Sequence, residues 1–564
     1  RIALDDPKVQ IGLPEVKLGI IPGWGGTVRL TQLIGPIDAM KIILQGRSVD
    51  ARTAKKMGMI DEIARTEHLL HRAAVYYVLT KPEKHEPKWW QSLAQLSFIR
   101  PLLANKLRKT VSEKATPEHY PAPYAVIDNW QRDGAEGPEA MQNETKTIAD
   151  LFFHPTSREL IRVFFLQSKL KDLGKKTSRD FQRVHVIGAG TMGGDIAAWC
   201  ALCGMTVTLQ DREAKYIAPA IKRAYTLFSK KLKQPRLVQA AMDRLIPDVD
   251  GDGVRRADVV IEAIYENLEA KQALYKIIEP QLKPDAILAT NTSSLPLEEL
   301  ATVLANPNRL VGIHFFNPVA QMQLVEVVRS LNMDEKVYDT ALAFVTKIKR
   351  LPLPVKSSPG FLINRILMPY LLEAVKLYEE GVPPMMIDKA AVDFGMPMGP
   401  IELADTVGLD ICLSVAEILG EHYPVYISEK LRALVASGNV GRKSGSGFYQ
   451  YSDGKPVKVS LYQEGAVPDD LTDRLILSMV NESVRCLDEG VVSEEDYVDA
   501  GLIYGTGFAP FRGGPMAYCH SEGAEELLSR LKHLAKTHGQ RFKPADGWSK
   551  LAKSKAKKGV AIDA

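Results

Sequence analysis

Residues 184–211 read VHVIGAGTMGGDIAAWCALCGMTVTLQD, and the fold turns on this stretch. The apolar run Val184 to Ile187 has the look of a parallel strand buried on both faces. It enters Gly188, Gly190 and Gly193, then a helical segment, then a second apolar run that ends at Asp211. That order is one βαβ unit. Gly188 suits the tight turn, Gly190 leaves no side chain between backbone and a pyrophosphate, and Gly193 lets the helix pack closely on the strand. A dinucleotide can then rest its phosphates on the helix N-terminus. Asp211 stands about 20 residues past the glycines, where an acidic side chain takes the ribose hydroxyls and repels the extra phosphate of NADP. The competing reading of the glycines is a tight turn in some other α/β domain.

With 564 residues the chain is expected to hold roughly three to five domains. Its 45% hydrophobic and 25% charged residues are ordinary for a globular protein, and a net charge of +4 does not call for a nucleic-acid partner. The basic excess gathers at Lys550, Lys553, Lys555, Lys557 and Lys558, which read as a solvated tail or a contact for an anionic partner. Cys200 and Cys203 fall inside the helix after the glycine turn, where packing competes with redox or metal chemistry as their purpose. Without a second Cys/His pair the packing reading is preferred, and a reducing compartment fits. No apolar run approaches the roughly 20 residues that span a membrane, and no leader pattern opens the chain, so a cytoplasmic protein is expected. The chain starts at Arg1 with an uncapped apolar segment, which reads as a continuation of sequence upstream.

Outward from the glycine turn, further strands converge. Residues 257–264 (ADVVIEAI) bring Glu262, Glu266 and Lys271 to the carboxyl edge of the sheet. The strand Ala286 to Ala289 ends in NTSSL with Ser293, and Leu310 to Ile313 ends in HFFNP. Ligands of doubly wound folds gather at that edge. His314 is followed twelve residues later by Glu326 inside LVEVV. A carboxylate among valines is costly to bury unless paired, and a histidine partner would make the pair a general base. By spacing alone, His314 is either that base or a structurally satisfied histidine.

IGAGTMG, VIEAIYEN, NTSSL, HFFNP, LVEVV, PGFLINR and GMPMGPIELAD occur in the order found in L-3-hydroxyacyl-CoA dehydrogenases, and residues 182 to about 450 resemble that family. The resemblance implies NAD as cofactor, His314 as catalytic base and Glu326 as its partner. It places Met192, Asp211, Glu266, Lys271, Ser293 and Asn317, with the glycines, on cofactor-binding positions. It also puts Ser293 and Asn364 around the reacting hydroxyl and thioester of an acyl-CoA. One or two lysines of the helix after Asp211 would either be solvated or contact CoA phosphates.

Residues 1 to about 65 resemble the second half of the crotonase (enoyl-CoA hydratase) family through LPE-x-x-LGI-x-P-x-x-GGT. Short strands are expected around Val9 and Leu18, and helices from Thr27 and Ala51. By resemblance Glu15 is the second of two catalytic glutamates. The first, with the oxyanion donors, is expected upstream of Arg1, so little or no hydratase activity is expected of this stretch alone.

Finally, RILMPYLLEAVKLYEEGV (365–382) is echoed by RLILSMVNESVRCLDEGV (474–491), the mark of a duplicated helical domain. The expected architecture is α/β and α. Residues 1–115 form a partial crotonase-like segment and 116–180 a helical linker. A Rossmann-type doubly wound NAD-binding domain covers 181–357, and two tandem helical domains cover 358–452 and 453–564. Fused hydratase and dehydrogenase proteins of fatty acid β-oxidation have this arrangement, and the resemblance implies a thiolase β-subunit partner in an α2β2 complex. Tyr504 then borders the acyl pocket, or is a core tyrosine. Rival readings are another NAD-linked hydroxyacid dehydrogenase and an idle scaffold for the thiolase.

Overall fold

In the computed structural model, which describes residues 1–6, 8–83, 85–423, 425–457 and 467–553, eight strands form one sheet around the glycine turn. They are β1 (Arg183–Ile187), β2 (Thr206–Gln210), β3 (Leu245–Pro247), β4 (Val259–Glu262), β5 (Ile287–Thr290), β6 (Leu310–Phe315), β7 (Leu324–Arg329) and β8 (Leu351–Lys356). Their order across the sheet is β8-β7-β6-β5-β4-β1-β2-β3. The first six run parallel, and β7 and β8 run opposite to them. Strand order therefore reverses at β1, whose neighbours are β2 and β4. That is the switch point where a doubly wound sheet opens a crevice beyond its carboxyl ends. The central strands are buried end to end, as their unbroken apolar runs require. β4 is shorter than the apolar run 257–264, because after Glu262 the chain turns back and Ile264 N donates to Glu262 Oε1 at 2.8 Å.

The chain divides into two compact units, residues 1–164 with 510–512 and residues 165–509 with 513–564. The division falls within the helix Pro155–Leu173, inside the stretch expected to be a linker. In the first unit Ile2–Leu4 pairs in parallel with Glu62–Ala64, and Ile11–Gly12 pairs antiparallel with Ser48–Val49. Ile21, Ile34, Ile43 and Ile127 lie in its core. Two expectations are corrected here. The strand expected around Val9 begins at Ile11, Val9 itself being in a turn closed by its N–H on Asp6 O. Leu18 lies not in a strand but in a one-turn 3-10 helix, Glu15–Leu18, started by Pro14 and stopped by Gly19 at φ +76°. Pro14 cannot donate to a ladder, and the left-handed Gly19 ends any extended run.

In the second unit, helix α1 (Thr191–Leu202) follows β1 and α2 (Leu268–Ile278) follows β4. The helical region adds α3 (Ile363–Glu379), α4 (Pro384–Phe394), α5 (Pro400–Val407), α6 (Leu471–Asp488), α7 (Glu495–Thr506) and α8 (Pro515–Glu522). The sequence echo is also a structural one. In its register Arg365 answers to Arg474, Glu373 to Glu482 and Glu380 to Glu489. Arg365 of α3 pairs with Glu482 and Glu489, each at 2.7 Å, while Arg474 of α6 pairs with Glu373 at 2.6 Å and Glu380 at 2.7 Å. Asp388 of α4 accepts from Ile401 N and Glu402 N at the start of α5, and Asp499 of α7 does the same for Met516 N and Ala517 N at the start of α8. Each half thus caps its own helix and lends two glutamates to the other's arginine.

The region 358–452 is not wholly helical, since Tyr451–Ser452 and Lys455–Pro456 form a two-stranded hairpin across the expected boundary. Asp453 and Gly454, both at positive φ, make its turn, the Asp-Gly signal for a two-residue hairpin loop. The basic tail begins as the helix Trp548–Lys553, held by buried Trp548 and Leu551. Lys555, Lys557 and Lys558 lie outside the described residues. Among the described residues no helix is long and apolar enough to cross a membrane.

Candidate active site

The glycines of the turn divide their work sterically. Gly188 takes φ +103°, and a Cβ there would meet Ala263 O at 2.5 Å. A Cβ on Gly193 would lie 1.9 Å from Gly188 O, so α1 can approach β1 only without a side chain at that position. Gly190 caps α1, and a Cβ on it would meet no atom within 4 Å. The open side of Gly190 at a helix N-terminus is the approach a pyrophosphate needs, and the turn fits a dinucleotide. Asp211, just past β2, accepts from Ala189 N at 2.8 Å through Oδ2 and from Arg212 N at 2.7 Å through Oδ1, which fixes its carboxylate against the turn. Met192 is half-buried in the first turn of α1. Gly193→Ala is expected to cost about 1–3 kcal/mol of stability by overpacking and to weaken NAD binding together with it. Thermal unfolding with and without NAD checks this, and an unchanged NAD-dependent shift would count against the close-packing role.

At the end of β4, Glu262 is fully buried with four donors around its carboxylate. Lys271 Nζ (2.6 Å) and Ile264 N reach Oε1, and Tyr275 Oη and Thr290 Oγ1 (each 2.8 Å) reach Oε2. Lys271, only 1% exposed, also lies 3.3 Å from Glu266 Oε2. Its ammonium therefore acts on the crevice through Glu266. Burial alone would raise the Glu266 carboxyl, but Lys271 and the donors Thr292 and Ser293 outweigh it and hold the group below its ordinary value. Glu266 Oε1 accepts from Thr292 Oγ1 (2.5 Å), Ser293 N (2.9 Å) and Ser294 N (3.3 Å), which shapes the NTSSL loop. Asn364 Nδ2 donates to Ser293 O at 3.3 Å, so Glu266, Ser293 and Asn364 meet at one place.

His314 and Glu326 stand directly opposite each other in the antiparallel pairing of β6 with β7, so the spacing of twelve is that of a cross-strand pair. His314 Nδ1 is 2.7 Å from Glu326 Oε2, with the imidazole 6% exposed and the carboxylate fully buried. Glu326 Oε1 accepts from Leu362 N and Ile363 N, each at 3.0 Å. These donors belong to the start of α3, where unpaired N–H groups and the helix dipole favour an anion. Phe316 and Phe361 flank the imidazole at ring distances of 4.6 and 5.8 Å. Asn317 follows β6 on the exposed side of the crevice.

Two contributors went unmarked in the sequence. Asn291 Oδ1 accepts from Phe315 N at 2.9 Å and ties the end of β5 to that of β6; an asparagine at a strand end was its only signal. Gly505 of α7 is the other. A Cβ on Gly505 would come within 3.1 Å of Leu324 and Ile363, so glycine lets α7 lie against β7 and the start of α3. Tyr504, its neighbour on α7, is half-buried, and burial pushes its phenol up to about 12. Glu15 belongs to the first unit, where its Oε2 is buried without a hydrogen-bond partner among the described residues.

Comparison with known proteins agrees with this geometry. Residues 183–358 match the family described as 3-hydroxyacyl-CoA dehydrogenase, NAD binding domain; residues 360–451 match its C-terminal domain; residues 1–94 match enoyl-CoA hydratase/isomerase. The chain is 34% identical to the fatty acid oxidation complex subunit alpha of Idiomarina loihiensis, over 97% of this chain and 80% of that one. It is 35% identical to the protein of the same name from Vibrio campbellii, with the same coverage. Among solved structures, 3-hydroxybutyryl-CoA dehydrogenase from Escherichia coli superposes with a TM-score of 0.59 at 28% identity, covering 66% of this chain and 98% of that one. The dehydrogenase part of multifunctional enzyme 1 from C. elegans gives 0.52 at 27% identity, covering 69% and 96%. With a hydratase/isomerase segment leading into an NAD-binding dehydrogenase, the chain belongs to the family of fatty acid oxidation complex alpha subunits.

Proposed function

We propose that the crevice beyond β1, β4, β5 and β6 oxidises L-3-hydroxyacyl-CoA to 3-ketoacyl-CoA, with His314 as the base that takes the hydroxyl proton. The observation that carries this reading is the fully buried Glu326, bonded to His314 Nδ1 on one oxygen and to two helix N–H groups on the other. An anion so held keeps the proton on Nδ1, leaves Nε2 free to accept, and stabilises the imidazolium that results. NAD bound on the glycine turn supplies the hydride acceptor. Ser293 and Asn364 flank the substrate hydroxyl and thioester, Glu266 sets the Ser293 loop, and Asn317 and Met192 line the cofactor's side. The two flanking phenylalanines keep water from the imidazole. Formation of NADH from 3-hydroxybutyryl-CoA, set against free 3-hydroxybutyrate, tests the reading. Equal turnover of the free acid would favour a hydroxyacid dehydrogenase of another kind.

Asp211 carries the cofactor preference in this reading. Asp211→Ser keeps an oxygen for Ala189 N and removes the charge that repels the 2′-phosphate. The ratio of kcat/KM for NADP to that for NAD is expected to rise about tenfold or more, equivalent to about 1.4 kcal/mol. Steady-state rates with both cofactors decide it, and an unchanged ratio would remove Asp211 from the role.

Glu15 is the hydratase carboxylate of the first unit on the same reading, supported by its buried and unpartnered Oε2. A thiolase β-subunit as partner, in an α2β2 assembly, extends the relatives' name, which makes each of them one subunit of a complex.

A further inference from the structure

Phe361 holds a backbone conformation that its side chain disfavours. Its φ is +52°, in the left-handed region where a bulky residue is strained, and Gly360 before it is left-handed too, at φ +71°. Among the described non-glycine residues with positive φ, Phe361 alone has an exposure of 0%. Such a conformation costs stability and persists only where its surroundings impose it. Here Ser358 ties both polar groups of the Phe361 backbone. Phe361 N donates to Ser358 O at 2.9 Å, and Phe361 O accepts from Ser358 Oγ at 3.4 Å.

The conformation decides what the next N–H groups meet. A right-handed residue at 361 would continue α3 backwards, and the added turn would cover the donors at the helix start. The left-handed turn throws the preceding chain aside. Leu362 follows at φ −94° and ψ −53°, in the right-handed region. Successive N–H groups beside residues of opposite hand form a concavity that takes an anion. Leu362 N and Ile363 N both reach Glu326 Oε1 at 3.0 Å, while Ile366 N donates to Leu362 O within the helix. The carboxylate that holds His314 is therefore seated on a turn made by Phe361.

The duplicated helix supplies an internal control. In the register that aligns Arg365 with Arg474, Phe361 answers to Asp470 and Leu362 to Leu471. Asp470 has φ −91°, and Leu471 N is spent on Pro468 O at 3.1 Å. The copy that seats no catalytic carboxylate thus enters its helix without a left-handed residue. Strain is confined to the copy that faces Glu326.

We propose that Phe361 is a positioning residue for the His314–Glu326 pair, and that its left-handed backbone, more than its ring, does the positioning. The proposal rests on the reading of His314 as the base.

Glycine adopts positive φ freely and β-branched valine resists it, while both remove the ring, so the two substitutions separate backbone from side chain. NADH formation from 3-hydroxybutyryl-CoA is measured on full chains carrying Phe361→Gly, Phe361→Val or His314→Ala, with NAD affinity followed by fluorescence. Phe361→Gly is expected to lose about tenfold in kcat, and Phe361→Val about a hundredfold or more, the scale of a misplaced catalytic group. In both, KM for the acyl-CoA and Kd for NAD are expected to stay within about threefold of the parent, because the loss falls on the transition state. Phe361→Leu takes the place of valine if that variant does not fold. A glycine variant as impaired as the valine or leucine one, with His314→Ala inactive, overturns the positioning role alone. So does a valine or leucine variant as fast as the parent, or one whose loss falls equally on NAD affinity. A His314→Ala chain as active as the parent overturns the base reading, and this proposal with it.

Discussion

A His314→Ala chain is expected to bind NAD as the parent does and to form NADH from 3-hydroxyacyl-CoA about 10²–10⁴-fold more slowly, the range a positioned acid–base group contributes. In the proposed mechanism the loss falls on kcat, because there His314 meets the reacting hydroxyl and not the glycine turn. Its bonding partner is Glu326, and its ring neighbours are Phe316 and Phe361. The buried carboxylate does not become an orphan in this variant, since Leu362 N and Ile363 N still donate to it. The fold should therefore survive with a modest loss of stability, and the rate is interpretable. Single-turnover NADH formation, with NAD affinity measured separately by fluorescence, separates chemistry from binding. A rate within tenfold of the parent would remove His314 from the base's role, and a parallel loss of NAD affinity would make it a structural residue instead.

The same residues show how far the sequence could be read. The glycine turn was legible because three positions with different steric duties, Gly188, Gly190 and Gly193, keep a fixed local spacing, and local spacing is what a sequence displays. His314 with Glu326 was half legible. Spacing alone left the histidine open between base and bystander, and only the strand register puts the two side chains opposite each other. Asp211 was placed beside the turn by its distance along the chain, although not as the acceptor of Ala189 N. What lay beyond reach was the choice of partner among like residues far apart. Nothing in the sequence says that Arg365 pairs with Glu482 and Glu489 in preference to the glutamates of its own helix, or that Lys271 is enclosed by Glu262. Such choices follow from helix docking, which depends on the whole packed surface. The strand mistaken at Leu18 had a different cause. A run of alternating residues too short to declare a period was overruled by Pro14 before it and Gly19 after it.

Glu326→Gln should be nearly as damaging as loss of the histidine, about 10³-fold in kcat, although the change adds no bulk and leaves His314 in place. The argument is one of proton inventory. Glu326 has one oxygen facing two backbone donors and the other facing Nδ1, so all the groups that meet it are donors, with Nδ1 carrying the proton. A glutamine supplies one acceptor only. If its oxygen stays on Leu362 N and Ile363 N, its amide N–H₂ faces Nδ1. The imidazole must then accept at Nδ1 and hold its proton on Nε2, the tautomer that cannot take a proton from an alcohol. If the amide turns over, an N–H₂ meets two backbone N–H groups in a fully buried place, leaving them unsatisfied at about 1–3 kcal/mol each. The first arrangement is the one expected, and it predicts near-parental stability with catalysis lost. Glu326→Leu reverses that balance, since both backbone donors lose their acceptor and Tm should fall clearly. Measuring kcat and Tm for the pair of variants separates the two roles of the carboxylate. A glutamine variant that keeps both rate and stability would show that the buried negative charge, rather than the acceptor geometry, is dispensable, and that His314 reaches its working tautomer without it.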